Sequence, residues 1–257
     1  MKVFFDEKFL QTYTGDPAAS PGRLDYAFSL VKEQYPLVVP EPCSEGDVFL
    51  VHTPYHQRYV SRNEGVYSMA KLAVGATIGA AQSSLAGETA FALCRPPGHH
   101  ASPDSSWGFC FFNNVAIAVR KLIAVEKVDR VLIVDFDLHF GDGTANTFAG
   151  DPHVSYYHAE GGSSRDLIEN MKVALRGKNA DMLAISAGFD RHRNDWGGLL
   201  STPDYEELGK ILGLFAGGKC GGRLFAALEG GYNSRSLGDA LMAFFQGVEK
   251  GLGGEEG

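Results

Sequence analysis

Val131-Leu132-Ile133-Val134-Asp135-Phe136-Asp137-Leu138-His139-Phe140-Gly141-Asp142-Gly143 is the stretch that decides how this chain folds. Four branched apolar residues in a row read as a strand buried on both faces, the kind that parallel sheets contain. The run then breaks into acids, a histidine and a Gly-Asp-Gly turn. Strand residues two apart face the same way, so Asp135, Asp137 and His139 project together if the extended backbone persists past Val134. The plain alternative is a solvated strand end leading into a turn. Carboxylates beside so apolar a run, however, carry a desolvation cost that calls for a cation or hydrogen-bond donors.

This strand is placed at Val131 to Asp135, and short apolar runs of the same kind recur at Lys2 to Phe5, Leu37 to Val39, Thr89 to Leu93, Val154 to Tyr157, Asp181 to Ile185 and Leu224 to Leu228. Segments of helical period lie between them. Gly65 to Ala86 places Val66, Met69, Ala70, Ala73, Thr77, Ala80 and Ala81 on one stripe, and its small residues suit close packing on a sheet. Thr202 before Pro203 reads as an N-cap opening a helix through Leu208, Ile211, Leu212 and Phe215. Strands alternating with helices predict an α/β domain with a central parallel sheet. With 257 residues, 44% of them apolar, the chain is long enough for one such domain over residues 1–250. Residues 251–257, glycine and glutamate apart from Leu252, are expected to fray.

Polar segments follow four of the strands: Arg95 to His100, Asp135 to Asp142, Gly188 to Asp190 and Glu229 to Tyr232. The carboxyl ends of parallel strands share one edge, where ligand crevices form, so these segments are expected to converge. His99 and His100 follow two prolines and a glycine that fix a turn, so one imidazole can act as a base while its neighbour is held differently. Asp135 and Asp142, where they are not ligands, are the natural acceptors for the distal ring nitrogens. Asp190 can complete a three-ligand metal site with Asp137 and His139 and leave a position open for water; its alternative is a helix or turn cap. Tyr232 after Gly230-Gly231 can donate to a developing oxyanion, or be a tyrosine at the edge of the core. Such a set is equipment for metal-assisted hydrolysis. Asp and His without Cys suit Zn²⁺ and tolerate Fe²⁺ or Co²⁺, which leaves the ion open. His52, His56, His153, His158 and His192 show no ligand spacing and read as structural or exposed.

Cys43, Cys94, Cys110 and Cys220 form no C-x-x-C pair, which points away from a thiolate zinc site or disulfide framework and towards a reducing cytoplasm. The N-terminal segment meets Asp6 before a signal-length apolar run develops, and no segment is long enough to cross a bilayer. A formal charge of −8 with no basic block argues against nucleic-acid binding.

Taken in order, R-P-P-G-H-H-A (95–101), G-F-C-F-F-N-N (108–114), V-D-F-D-L-H-F-G-D-G-T (134–144), S-A-G-F-D (186–190) and L-E-G-G-Y (228–232) resemble the histone deacetylase superfamily, which includes acetylpolyamine amidohydrolases. The resemblance runs from about Val51 to Gly247, and more faintly to Pro21-Gly22-Arg23-Leu24. It implies the arginase/deacetylase fold, three α/β/α layers around a parallel sheet. It implies Asp137, His139 and Asp190 as zinc ligands, His99 and His100 as tandem histidines backed by Asp135 and Asp142, and Tyr232 as the catalytic tyrosine. Gly108, Phe109, Gly230 and Gly231 would lie along the substrate channel, and Arg23 near an inner acetate pocket. It also implies a structural monovalent cation, usually K⁺, held by backbone at the strand end that carries Asp135, Asp137 and His139. The implied substrate is an acylated amine, acetyl-lysine in a protein or a small acetylated polyamine, with neither nucleic acid nor membrane as partner.

The chain departs from the family pattern in four places. Phe140 stands where many relatives have a second histidine, and the loop after His158 is short, which opens the channel. Trp196 falls near the mouth, where it can rebuild part of the missing wall, and the residues before Arg23 lack the usual histidine and glutamate. Two rival readings remain at this stage: a binding module of the same fold without turnover, and an Asp-x-Asp phosphohydrolase using Mg²⁺. The second leaves the paired histidines and Gly-Gly-Tyr unexplained.

Overall fold

The computed structural model describes residues 1–125 and 128–254. Seven strands form one sheet: β1 (Lys2–Phe4), β2 (Leu37–Val38), β3 (Ala90–Ala92), β4 (Val131–Asp135), β5 (Val154–His158), β6 (Met182–Ala187) and β7 (Leu224–Leu228). Helices connect them: α1 (Asp25–Gln34), α2 (Glu45–Val48), α3 (Pro54–Val60), α4 (Glu64–Leu85), α5 (Asn114–Ala124), α6 (Asp142–Thr147), α7 (Ser164–Leu175), α8 (Thr202–Lys219) and α9 (Ser234–Leu252). Every pairing is parallel, in the order β2-β1-β3-β7-β6-β4-β5. The four strands expected to carry polar segments, β3, β7, β6 and β4, are therefore consecutive at the centre of the sheet, and their carboxyl ends do converge.

The sheet is covered on both faces. α4 and α5 pack over β3, β7 and β6, while α9 lays Phe244 and Phe245 against Phe136 and Phe91 on the other side. This explains why β4, β6 and β7 are buried along their whole length and read as continuous apolar runs. α8 and α9 touch backbone to backbone: a Cβ on Gly247 would be driven into the carbonyl of Glu206. Only a residue without a side chain permits that approach.

The helix at 64–85 starts one residue before the expected Gly65, with Asn63 as its cap, its side chain accepting from Val66 N at 3.3 Å. For α8 the expected cap is corrected. Ser201, not Thr202, is the N-cap, its N and Oγ both donating to Asp204 Oδ2 at 2.7 and 2.6 Å, and Thr202 is the first helical residue. α9 continues to Leu252, with Gly251 buried, so helix reaches into the stretch expected to fray; residues 255–257 lie outside the described ones.

Candidate active site

Asp135 closes β4, and its carboxylate is fully used by donors. Oδ1 accepts from Asp137 N at 3.0 Å; Oδ2 accepts from Tyr156 Oη at 2.9 Å and faces His99 Nδ1 at 3.0 Å. The backbone then turns, so Asp137 and His139 leave Asp135 behind and meet Asp190 from the loop after β6. One donor atom from each of Asp137, His139 and Asp190 lies within 4.8 Å of the others. His139 Nδ1 stands 3.2 Å from Asp137 Oδ1 and 3.2 Å from Asp190 Oδ2. Gly230 N donates to Asp137 Oδ2 at 2.7 Å, and Leu138 N to Asp190 Oδ1 at 3.0 Å.

The electrostatics of this triad call for a cation. Asp190 is buried and its Oδ2 meets no donor but His139 Nδ1 at 3.2 Å, a thin compensation for a carboxylate out of water. Burial, with Asp137 beside it, pushes Asp190 up to about 6. Burial opposes the charge on Asp137 too, but His99, His139 and backbone N–H groups outweigh it and hold Asp137 below the usual carboxylate range. Bonds to Asp137 and Asp190 drive His139 up to about 10, so a proton on its imidazole does what a metal ion would do between the two acids. Two buried carboxylates and an imidazole fit a divalent ion such as Zn²⁺. A second cluster, His99, Cys110 and Glu229, also brings donor atoms together. It fits less well: burial keeps the Cys110 thiol protonated, donating to Gly108 O at 3.5 Å.

The tandem histidines sit in opposite states. Burial opposes charge on His99, but Asp137, Asp135 and Glu229 outweigh it and hold its pKa well above the ordinary value. Burial and the charge of His99 push His100 below the ordinary value, so it is neutral. His100 Nδ1 lies 2.6 Å from Asp142 Oδ1, which assigns the Nδ1–H tautomer and leaves Nε2 as an acceptor. Tyr232 is pushed well above the ordinary phenol range by burial and by Asp137, so its hydroxyl remains a donor. Its ring stacks on Trp196 at 3.9 Å and meets the edge of Phe109 at 6.0 Å. Phe109 holds φ at 66°, a left-handed backbone that costs an ordinary residue about 1–2 kcal/mol.

Pro97, His99, His100, Trp107, Gly108, Phe109, His139, Trp196, Gly230 and Tyr232 line a cavity of about 120 Å³ above this triad. Trp196 forms part of this lining, stacked on Tyr232. Arg23 and Gly231 are not among the residues that line this cavity. Arg23 is buried beneath the Tyr232 turn, donating to Gly231 O at 2.7 Å and Glu229 O at 2.6 Å, where it sets the backbone that carries the phenol.

Sequence reading missed four further participants. Glu229 is buried and accepts from Gly98 N at 2.6 Å and His99 N at 3.1 Å, fixing the twin-histidine turn. Tyr156 binds Asp135 and accepts from Gly141 N at 3.0 Å. Trp107 binds Asp142, and Arg191 binds the backbone of the β4 turn. Glu229 carried a signal, an acid directly after the apolar run of β7; the others carried none. Of the histidines set aside, His52 and His56 brace the loop between β3 and α5 through Ser102 O, Asn113 N and Phe111 O, as structural residues do. His158 packs behind Asp135, within 3.9 Å of it.

A parallel α/β domain with a two-acid, one-imidazole centre and two His–Asp pairs at the carboxyl edge of its sheet is a hydrolase-like architecture. Comparison with known proteins places it more narrowly. The histone deacetylase domain family model matches residues 44–163 and 164–248, and the chain belongs to that family. It is 32% identical to a probable deacetylase of Methanothermobacter thermautotrophicus over 79% of this chain and 76% of the relative. It is also 32% identical to a probable deacetylase of Archaeoglobus fulgidus (78% and 70%), and 30% identical to histone deacetylase 14, chloroplastic, of Arabidopsis thaliana, spanning 55% of that relative. The crystal structure of the HDA15 HD domain superposes with a TM-score of 0.83 at 26% identity, over 99% of this chain and 89% of that one.

Proposed function

We propose that this chain is a metal-dependent amide hydrolase that removes acetyl, or a related acyl group, from an acylated amine. The observation that carries the proposal is the pairing of a neutral His100, oriented by Asp142, with a protonated Tyr232 in one cavity above Asp137, His139 and Asp190. A divalent ion, when bound there, polarises the amide carbonyl and eases deprotonation of water. His100 Nε2 takes the proton of that water as it adds to the carbonyl. The Tyr232 hydroxyl donates to the carbonyl oxygen as charge develops on it. His100 then returns its proton to the amine nitrogen as the C–N bond breaks, giving a carboxylate and a free amine. His99, held through Nδ1 against Asp135, tunes the charge beside Asp137.

Zn²⁺ is the ion that the ligand set favours, with Fe²⁺ or Co²⁺ as alternatives. The aromatic walls and the absence of a carboxylate among the residues lining the cavity favour acetyl-lysine over an acetylpolyamine, whose further ammonium groups would call for acids nearby. Four buried cysteines, all free, support a reducing compartment such as the cytoplasm. Among the described residues no helix is long and apolar enough to cross a membrane.

The phosphohydrolase reading needs a free aspartate nucleophile. Asp135 is saturated by donors and Asp137 is committed to His139 and Gly230, so neither supports it. Release assays on a fluorogenic acetyl-lysine peptide, N-acetylputrescine and phenyl phosphate, with metal analysis, test the choice. Deacetylation of the peptide is expected; phosphate release alone would replace the proposal, and acetyl-peptide binding without turnover would reduce the chain to a binding module.

A further inference from the structure

The monovalent ion implied by the family resemblance does not fit the end of β4, because a side chain of this chain is already there. Arg191 follows the ligand Asp190 and is 6% exposed. Its Nε donates to Phe136 O at 3.2 Å and Asp137 O at 3.0 Å; its Nη2 reaches Leu138 O at 3.4 Å and Ala159 O at 2.7 Å. Nη2 also lies 3.1 Å from His158 Nε2, and burial, with Arg191 adding to it, keeps that imidazole neutral enough to accept. Of the other carbonyls of this turn, Asp135 O accepts from Ala159 N at 2.8 Å. Among the described residues no carboxylate pairs with the guanidinium, so its charge faces a ring of carbonyl dipoles.

Carbonyls converging on one point need a cation or donors, and a desolvated alkali ion surrounded by backbone oxygens is one way to supply that. A guanidinium with five fixed donors is another, and it needs no ion from solution. We propose that Arg191 is a tethered cation standing in for a bound monovalent ion, tying the turns after β4 and β6 to the end of β5 so that the metal centre needs no K⁺. Its backbone is fixed in turn: Arg191 O accepts from Leu199 N and Leu200 N at 3.0 and 2.8 Å.

The test compares zinc-loaded protein in KCl and in choline chloride at equal ionic strength, reading melting temperature by calorimetry and turnover of the acetyl-lysine peptide. The wild type is expected to keep its melting temperature, and turnover to change by less than about twofold, since an ion with no site gives no linkage. Arg191→Ala frees the carbonyls; it is expected to melt lower in choline chloride and to recover saturably with added K⁺. Arg191→Lys keeps a charge without the fork and is expected to lie between the two, which preserves the test if the alanine variant does not fold. A wild-type melting temperature that climbs saturably with K⁺, or a destabilised Arg191→Ala that K⁺ leaves unmoved, overturns the inference. The turnover arm rests on the proposed reaction; the thermal arm does not, so a failure of that proposal is distinguishable from a failure of this one.

Discussion

Trp107 donates its indole Nε1–H to Asp142 Oδ2 at 2.8 Å, on the carboxylate whose other oxygen faces His100 Nδ1, while its ring covers the His100 ring at 4.0 Å. Both oxygens of Asp142 are thereby fixed, and with them the direction in which the imidazole presents Nε2. Trp107→Phe keeps a ring over His100 and loses the donor. A hydrogen bond to a charged group is worth about 1.5–3 kcal/mol, so kcat is expected to fall on the order of tenfold with KM changed much less. Steady-state kinetics on the acetyl-lysine peptide, alone and combined with Asp142→Ala, check this. Additive losses would mean that Trp107 does not act through Asp142.

Tyr232→Phe removes one hydroxyl and leaves the stack on Trp196. Loss of a donor to a developing oxyanion costs about 10²–10³ in kcat, and His100→Ala about 10²–10⁴, both with zinc content unchanged. Near-normal turnover in either variant would remove that residue from the reaction.

Gly230→Ala tests how closely the β7 turn approaches the metal ligands. A Cβ at this position would stand 2.5 Å from Asp137 Oδ2 and 2.6 Å from Asp190 Oδ2. The variant is expected to keep its circular dichroism spectrum and to lose zinc, read as metal per chain after dialysis. Full zinc retention would show that the ion lies elsewhere.

His52 gives the fold an acid-sensitive contact away from the chemistry. Its Nδ1 faces Ser102 O at 3.0 Å and its Nε2 accepts from Asn113 N at 2.9 Å, an arrangement open only to the neutral ring. Burial, with His56 adding to it, depresses its pKa to about 3. Below about pH 6.5 the unfolded chain binds the proton and the folded chain does not, so stability present above 6.5 falls as pH drops towards 3. The slope from this group approaches about 1.4 kcal/mol per pH unit. His52→Gln can donate and accept at the same two partners without titrating. Urea unfolding at pH 7 and pH 5 is expected to show a smaller difference for the variant than for the wild type; equal differences would exclude His52 as the source.

The strands were legible because burial on both faces leaves an unmistakable apolar run: Val131–Asp135 and Leu224–Leu228 agree to the residue. Ends shift where pairing outlasts hydrophobicity, as in β6, where Ser186 and Ala187 still pair with Ala227 and Leu228. The same regularity made the convergence of four loops foreseeable, while the pairing of His99 with Asp135 and of His100 with Asp142 came from the family resemblance. What sequence hid is what distance hides. Glu229 meets Gly98 131 residues away, Arg191 meets Asp137 54 away and Trp107 meets Asp142 35 away, and no periodicity marks such pairs. Arg23 illustrates the converse: a motif match gave its neighbourhood, but only the bonds to Glu229 O and Gly231 O show that it holds a turn rather than lining the cavity.

The central claim is that Asp137, His139 and Asp190 together hold one divalent ion. Anomalous diffraction at the zinc edge, on crystals of zinc-loaded protein, tests it most directly. The expected result is a single strong peak about 2.0–2.3 Å from an oxygen of Asp137, Nδ1 of His139 and an oxygen of Asp190. No peak among those three after zinc soaking, or a peak between His99, Cys110 and Glu229 instead, would contradict it.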